Sequence, residues 1–151
     1  MSDTFTLIIA TPEREVYRDT IDSVSLPTID GEITVLPHHI PLSTILKPGE
    51  LVIRKGTEAR PYAVSGGFIE VQPHQLVVLA DTAEHLEEID EQRAQEAIEL
   101  ANKRKQEMRE DHVEYAAMAG KLERDLNRLK LVRKYKHKAH QNIMQEGIRR
   151  D

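Results

Sequence analysis

Along the first eighty residues apolar and polar positions alternate in short runs. Phe5, Leu7 and Ile9 share one parity, as do Val24 and Leu26, and then Ile33 and Val35, with polar residues between them. A side chain recurring at every second residue returns to the same face of an extended chain, so these runs predict strands with one buried face. Turn residues separate them: TPE at 11–13, LPTIDGE at 26–32, KPGE at 47–50, RKGTE at 54–58, SGG at 65–67 and QPHQ at 72–75. Strands spaced roughly ten residues apart, with no helical pattern between them, predict an antiparallel sandwich or barrel rather than βαβ units. The apolar run QLVVLA at 75–80 predicts a strand covered on both faces.

After Asp81 the period changes. Ala94, Ala97, Ala101 and Met108 recur at helical spacing and predict a first helix over about 88–108, with small side chains that admit a close neighbour. The polar stretch REDHVE at 109–114 interrupts it, and Tyr115, Ala119, Leu122, Leu126, Leu129 and Val132 form a second stripe. Two helices joined by a short loop predict an antiparallel hairpin. The chain therefore divides into a β domain, 1–86, and a helical hairpin with a C-terminal tail, 87–151. Such a hairpin has little apolar area of its own, which suggests an element that docks elsewhere and is able to move.

Composition narrows the class. The 151 residues are 39% hydrophobic and 31% charged, and no apolar run approaches the roughly 18 residues needed to span a bilayer. Residues 1–20 lack the basic and apolar regions of a signal peptide, and there is no cysteine, so the expectation is a cytoplasmic protein without a disulfide framework. The net charge of −5 argues against a nucleic-acid partner, as does the lack of Trp among only two Phe. Charge is also segregated. Asp81, Glu84, Glu87, Glu88, Asp90, Glu91, Glu96 and Glu99 crowd residues 81–100, whereas Lys121, Arg124, Arg128, Lys130, Arg133, Lys134, Lys136 and Lys138 crowd 121–140. Solvated helix faces that pair with each other account for this.

Candidate chemistry is sparse. There is no phosphate-cradling glycine loop, no Gly-x-Ser-x-Gly elbow and no cysteine nucleophile, so an enzyme has little support. The HHIP stretch, with His74, invites a metal-site reading, but adjacent strand residues point to opposite faces, so His38 and His39 are poorly placed to share an ion, and a loop or surface histidine pair is the better reading. Arg124 and Arg128 lie one helical turn apart with Lys121 in line, a stripe suited to phosphate or to a carboxylate-rich protein surface, and equally to a solvated face. At IDEQRA, residues 89–94, Asp90 is placed to cap the first helix and Glu91 to complement its dipole, while an Asp and Arg in fixed relation could also grip a small polar ligand.

The order of TPEREVY (11–17), VSLPTIDGEITVLPHHIPL (24–42), LKPGEL (46–51), VSGGFIEVQPHQLVVLADTAE (64–84) and IDEQRA resembles the epsilon subunit of the bacterial F-type ATP synthase over nearly the whole chain. The resemblance implies a β-sandwich of about ten strands followed by a two-helix hairpin. It implies a non-catalytic rotor subunit on the cytoplasmic face of the bacterial membrane, held there only through its complex. In that family the sandwich joins the gamma subunit to the ring of c subunits, and Glu32 and the loop through His39 correspond to that contact side. The hairpin can rise beside gamma toward the catalytic alpha and beta subunits and block ATP hydrolysis. No cofactor is required, but some members bind a regulatory ATP through IDEQRA and arginines of the second helix. Here Glu84, Asp90, Arg93, Ala94, Arg124 and Arg128 match that motif. Two departures stand out: Leu100 replaces a further arginine, with Lys103 and Arg104 nearby, and KYKHKAHQNIMQEGIRRD runs past the usual end of the family.

Overall fold

The computed structural model describes residues 3–107 and 113–148, which fall into two compact units, 1–88 and 89–151. The first holds ten strands: β1 Phe5–Ala10, β2 Glu15–Ile21, β3 Ser23–Thr28, β4 Gly31–Val35, β5 Leu42–Leu46, β6 Gly49–Lys55, β7 Glu58–Val64, β8 Gly67–Gln72, β9 Gln75–Ala80 and β10 Ala83–His85. A 3-10 turn, Leu86–Glu88, ends it. The strands hydrogen-bond in the order β10-β7-β6-β3-β5-β8-β9-β1-β2, with β4 paired to β3. Asp22 N–H donates to Arg54 C=O at 3.0 Å and Lys55 pairs with Asp19 at 2.5 Å, so the sheet curls until β2 meets β6 and a nearly closed sandwich results.

The parity of each strand decides its inward face. Leu7, Ile9, Ile21, Val24, Leu26, Leu51, Ile69, Leu76 and Val78 are fully buried between the layers. Each such side chain contributes about 1.5–3 kcal/mol relative to exposure, so the period-two pattern is the main driving force of this unit. Tyr17 and Tyr62 bridge the layers edge to face, with centroids 6.2 Å apart. Burial raises the pKa of both phenols.

Two glycines are dictated by geometry. Gly31 has φ +112°, the conformation that the turn after Asp30 requires. At Gly67 a Cβ would lie 2.0 Å from the Leu79 carbonyl oxygen, so only glycine lets β8 approach β9 there.

The pairing is antiparallel except between β1 and β9, which run parallel from Thr6↔Gln75 to Ala10↔Leu79. No short turn links these two strands, so nothing forces them into opposite directions. A second departure concerns QLVVLA. Leu76, Val78 and Ala80 are buried, but Leu79 is 53% exposed and Val77 half-buried, so β9 has one covered face rather than two.

The second unit is the predicted hairpin, with α1 at Glu91–Glu107 and α2 at Val113–Ile148. Lys105 near the end of α1 lies over the Tyr115 ring at 5.4 Å, while Glu91 at its start meets Arg133 and Lys136, which fixes an antiparallel course. Its core is small: Ile98, Ala101, Leu122 and Leu129, with Met118 against them. Ala97, Tyr115 and Ala119 are half-buried, and Leu126, assigned to the stripe from sequence, is 48% exposed. The neighbouring Asp125 is buried instead. Met108 and residues 109–112 of the predicted break lie outside the described residues, as does the end of the C-terminal tail.

Candidate functional site

In the sandwich unit the notable feature is apolar surface. Ile45 on β5 stands opposite Phe68 on β8, which stands opposite Leu79 on β9. Ile29, whose N–H donates to Ile45 C=O at 3.2 Å, prolongs the row. Directly opposed residues share one face of a sheet, so four large apolar side chains, each 45–53% exposed, line up across it. Isolated exposed apolar residues are ordinary, whereas a contiguous row is a candidate interaction surface.

A second apolar display sits on the loop between β4 and β5, where Leu36 and Ile40 are largely exposed. His38 holds this loop with a φ of +61°, its N–H donating to Pro73 C=O at 2.9 Å. Its ring lies edge to face with His74 at 5.4 Å and 3.4 Å from Asp3. His39 Nδ1 lies 2.7 Å from the Ile40 carbonyl. Both histidines are loop residues, as the preferred sequence reading has them, and no group of three ligating side chains forms among the described residues. Glu32 is exposed on β4, opposite Pro27.

In the hairpin unit Asp90 caps α1. Its Oδ1 accepts the Arg93 N–H at 3.1 Å and its carbonyl accepts the Ala94 N–H at 3.0 Å. Ala94 is buried and Arg93 exposed. Across from this first turn stand Arg133 and Lys136. Arg133 reaches Glu91 at 3.4 Å and Gln95 at 3.1 Å, and Lys136 donates to the other Glu91 oxygen. Lys136 first, and Arg133 with it, hold the Glu91 carboxyl below its ordinary value. An open cleft of about 450 Å³ lies here, lined by Asp90, Gln92, Glu96, Arg133 and Lys136 among others. The acidic and basic segments thus do pair across the hairpin.

Arg124 and Arg128 lie at another level of α2. Arg128 donates to Asp125 Oδ1 at 2.8 Å, and Arg124 is half-buried one turn earlier. At roughly 1.5 Å of rise per residue, Arg128 and Arg124 lie about 7.5 and 13.5 Å back from Arg133 toward the start of α2, away from the level of Asp90. Glu84 belongs to the sandwich unit, on β10 opposite Ala63. The structure therefore brings Asp90, Arg93 and Ala94 together, with Arg133 and Lys136 as the facing cations. Sequence reasoning counted those two within the basic segment but did not single them out. Glu91 in the first helical turn was the signal that could have done so.

A ten-stranded sandwich followed by a two-helix hairpin defines the class of fold. A family profile described as the ATP synthase Delta/Epsilon chain beta-sandwich domain matches residues 4–86. The ATP synthase epsilon chain of Chloroflexus aggregans is 46% identical over 136 residues, 90% of this chain and 97% of that one. That of Halalkalibacterium halodurans is 40% identical over 121 residues, 80% of this chain and 91% of that one. Among solved structures, a chain of the Euglena gracilis mitochondrial ATP synthase OSCP/F1/c-ring assembly aligns with a TM-score of 0.65 at 23% identity, over 81% of this chain and 76% of that chain. A chain of the Tetrahymena thermophila mitochondrial ATP synthase central stalk and c ring aligns at 0.53 and 14% identity, covering 87% and 98%. These two speak to the fold alone. The protein belongs to the ATP synthase epsilon chain family.

Proposed function

We propose that this chain is a non-catalytic subunit of the rotor of a bacterial F-type ATP synthase, peripheral to the cytoplasmic face of the membrane through its complex. Its sandwich docks against the gamma subunit and the c ring and so couples proton flow to ATP synthesis. The hairpin inhibits ATP hydrolysis by engaging the catalytic alpha and beta subunits. The observation that carries the docking role is the exposed row Ile29, Ile45, Phe68 and Leu79, a face built for cover by another chain. The loop bearing Leu36, His39 and Ile40, with Glu32 nearby in sequence, supplies a second contact surface. No described helix is long and apolar enough to cross a membrane, in keeping with attachment through partners. The test is reconstitution into a complex lacking this chain. Deleting residues 88–151 should raise hydrolysis and leave assembly intact; converting Glu32 and His39 together to lysine should weaken coupling. Unchanged hydrolysis in the first case would remove the inhibitory role, and unchanged ATP synthesis in the second would remove the proposed contact side.

A second reading concerns ATP. We propose that the start of α1 takes ATP as a regulatory ligand, supported by the cleft beside Asp90 and its two facing cations, Arg133 and Lys136. Arg93, Arg124 and Arg128 are the other candidate phosphate contacts, and Glu84, Asp90 and Ala94 complete the motif. Calorimetric titration of the full chain with ATP decides it: binding that weakens in Arg93→Ala, Arg128→Ala and Arg133→Ala supports the site. No heat at millimolar nucleotide reduces IDEQRA to a helix start.

A further inference from the structure

We infer that Asp125 is the built-in weak point of the helix pair, a carboxylate whose burial keeps α1 and α2 separable. Leu122, Asp125 and Leu129 stand at i, i+3 and i+7, so they share one stripe of α2. Leu122 and Leu129 pack with Ile98 and Ala101 of α1, which places Asp125 in the same seam, and it is only 3% exposed. The buried residues that α1 brings are Ala94, Ile98 and Ala101, none of which has a side-chain donor. Asp125 Oδ1 accepts from Arg128 at 2.8 Å, and no protein donor among the described residues reaches Oδ2.

The location of its partner decides the sign. Arg128 is three residues along the same helix, so the ion pair can persist whether α1 is docked or away. It therefore gives little preference to the closed state. Desolvation of the carboxylate, in contrast, is incurred only when the seam closes. Asp125 thus acts against closure while Ile98, Ala101, Leu122 and Leu129 act for it. With so few apolar residues on the favourable side, one opposing charge has a large effect on the balance. Asp125→Leu would continue the stripe and shift the seam toward its closed state.

The test is amide hydrogen exchange on the full chain, wild type beside Asp125→Leu and Asp125→Asn. An undocked α1 of 17 polar-rich residues frays, so exchange at Ala94–Ala101 reports separation of the helices. Asp125→Leu should slow exchange there by at least about fivefold, the low end for replacing a buried ion pair by apolar side chains. Asp125→Asn, easier to bury than a carboxylate, should slow it less. The amides of Leu7 and Val78 in the sandwich serve as the reference that should not change. Exchange unchanged or faster in Asp125→Leu at native helix content would overturn the inference. Should the leucine variant lose helix, the asparagine variant decides: slower exchange supports the weak point, and equal or faster exchange means that the carboxylate holds the pair together.

Discussion

Phe68 and Leu79 stand directly opposite each other on β8 and β9, and both face outward, 45% and 53% exposed. An outward-facing pair of this kind adds little to the fold, because about half of each residue stays in water. Leu79→Lys should therefore change stability by no more than about 0.5 kcal/mol. In the reconstituted complex the same variant should weaken incorporation at least about fivefold, as expected for a residue near the centre of an interface. Equal incorporation at equal stability would show that this face is not a docking surface.

Gly67→Ala should do the opposite. The added Cβ would collide with the Leu79 carbonyl, a backbone atom that cannot move without breaking the β8–β9 ladder. A loss of about 2 kcal/mol or more is expected in urea unfolding, at the high end of overpacking costs. Gly120, where an added Cβ would meet nothing within 4 Å beyond its own helix backbone, is the control, and alanine there should be neutral or stabilising by up to about 1 kcal/mol.

Asp90→Ala removes the side-chain acceptor at the start of α1 and should destabilise the helix by about 0.5–2 kcal/mol. Asp90→Asn retains an acceptor of the same shape and should lose a few tenths at most. Exchange of the Arg93 amide is the readout. Similar protection in the alanine and asparagine variants would mean that the cap is not what orders this turn.

The Glu91 clasp should respond to acid in a defined direction. Its carboxyl lies below the ordinary value of 4.5, so the stabilisation it supplies is complete above that value and is lost as pH falls through the lowered one. Following the Glu91 carboxyl by NMR should give a midpoint below 4.5, moving upward in Lys136→Gln and less so in Arg133→Gln. A wild-type midpoint at or above 4.5 would show that the clasp is absent in solution. Both cations are largely exposed, so raising salt toward about 1 M, where the screening length is roughly 3 Å, should shrink the difference between variants.

Much of the fold could be read because the relevant signals are local. Period-two alternation marked Leu7 and Ile9 as core, and the turn stretches around Gly31 and Gly56 fall where the backbone takes positive φ. What stayed hidden depends on distant neighbours. The apolar character of QLVVLA cannot tell a core face from one awaiting a partner, since Leu79 and Val78 look alike in sequence. The exchange of roles between Asp125 and Leu126 turns on 100° of helix rotation, which a loose stripe of leucines does not fix. The left-handed backbone at His38 also stayed hidden, because positive φ is uncommon outside glycine. For the candidate site, charge segregation revealed that the two helices would pair. Register along the seam, which selects Arg133 and Lys136 rather than Arg128 to face Glu91, required coordinates.

The parallel alignment of β1 with β9 has a consequence for the birth of the molecule. β1 leaves the ribosome ahead of its partners and finds β2 at once, but its other edge waits for residues 75–79. At about 5–20 residues per second, that interval lasts several seconds, during which an apolar strand edge stays open. Nascent chains halted before β9 should therefore be captured by chaperones, whereas chains halted after β10 should already resist protease. Assembly of the sandwich is timed by its last strands, not its first.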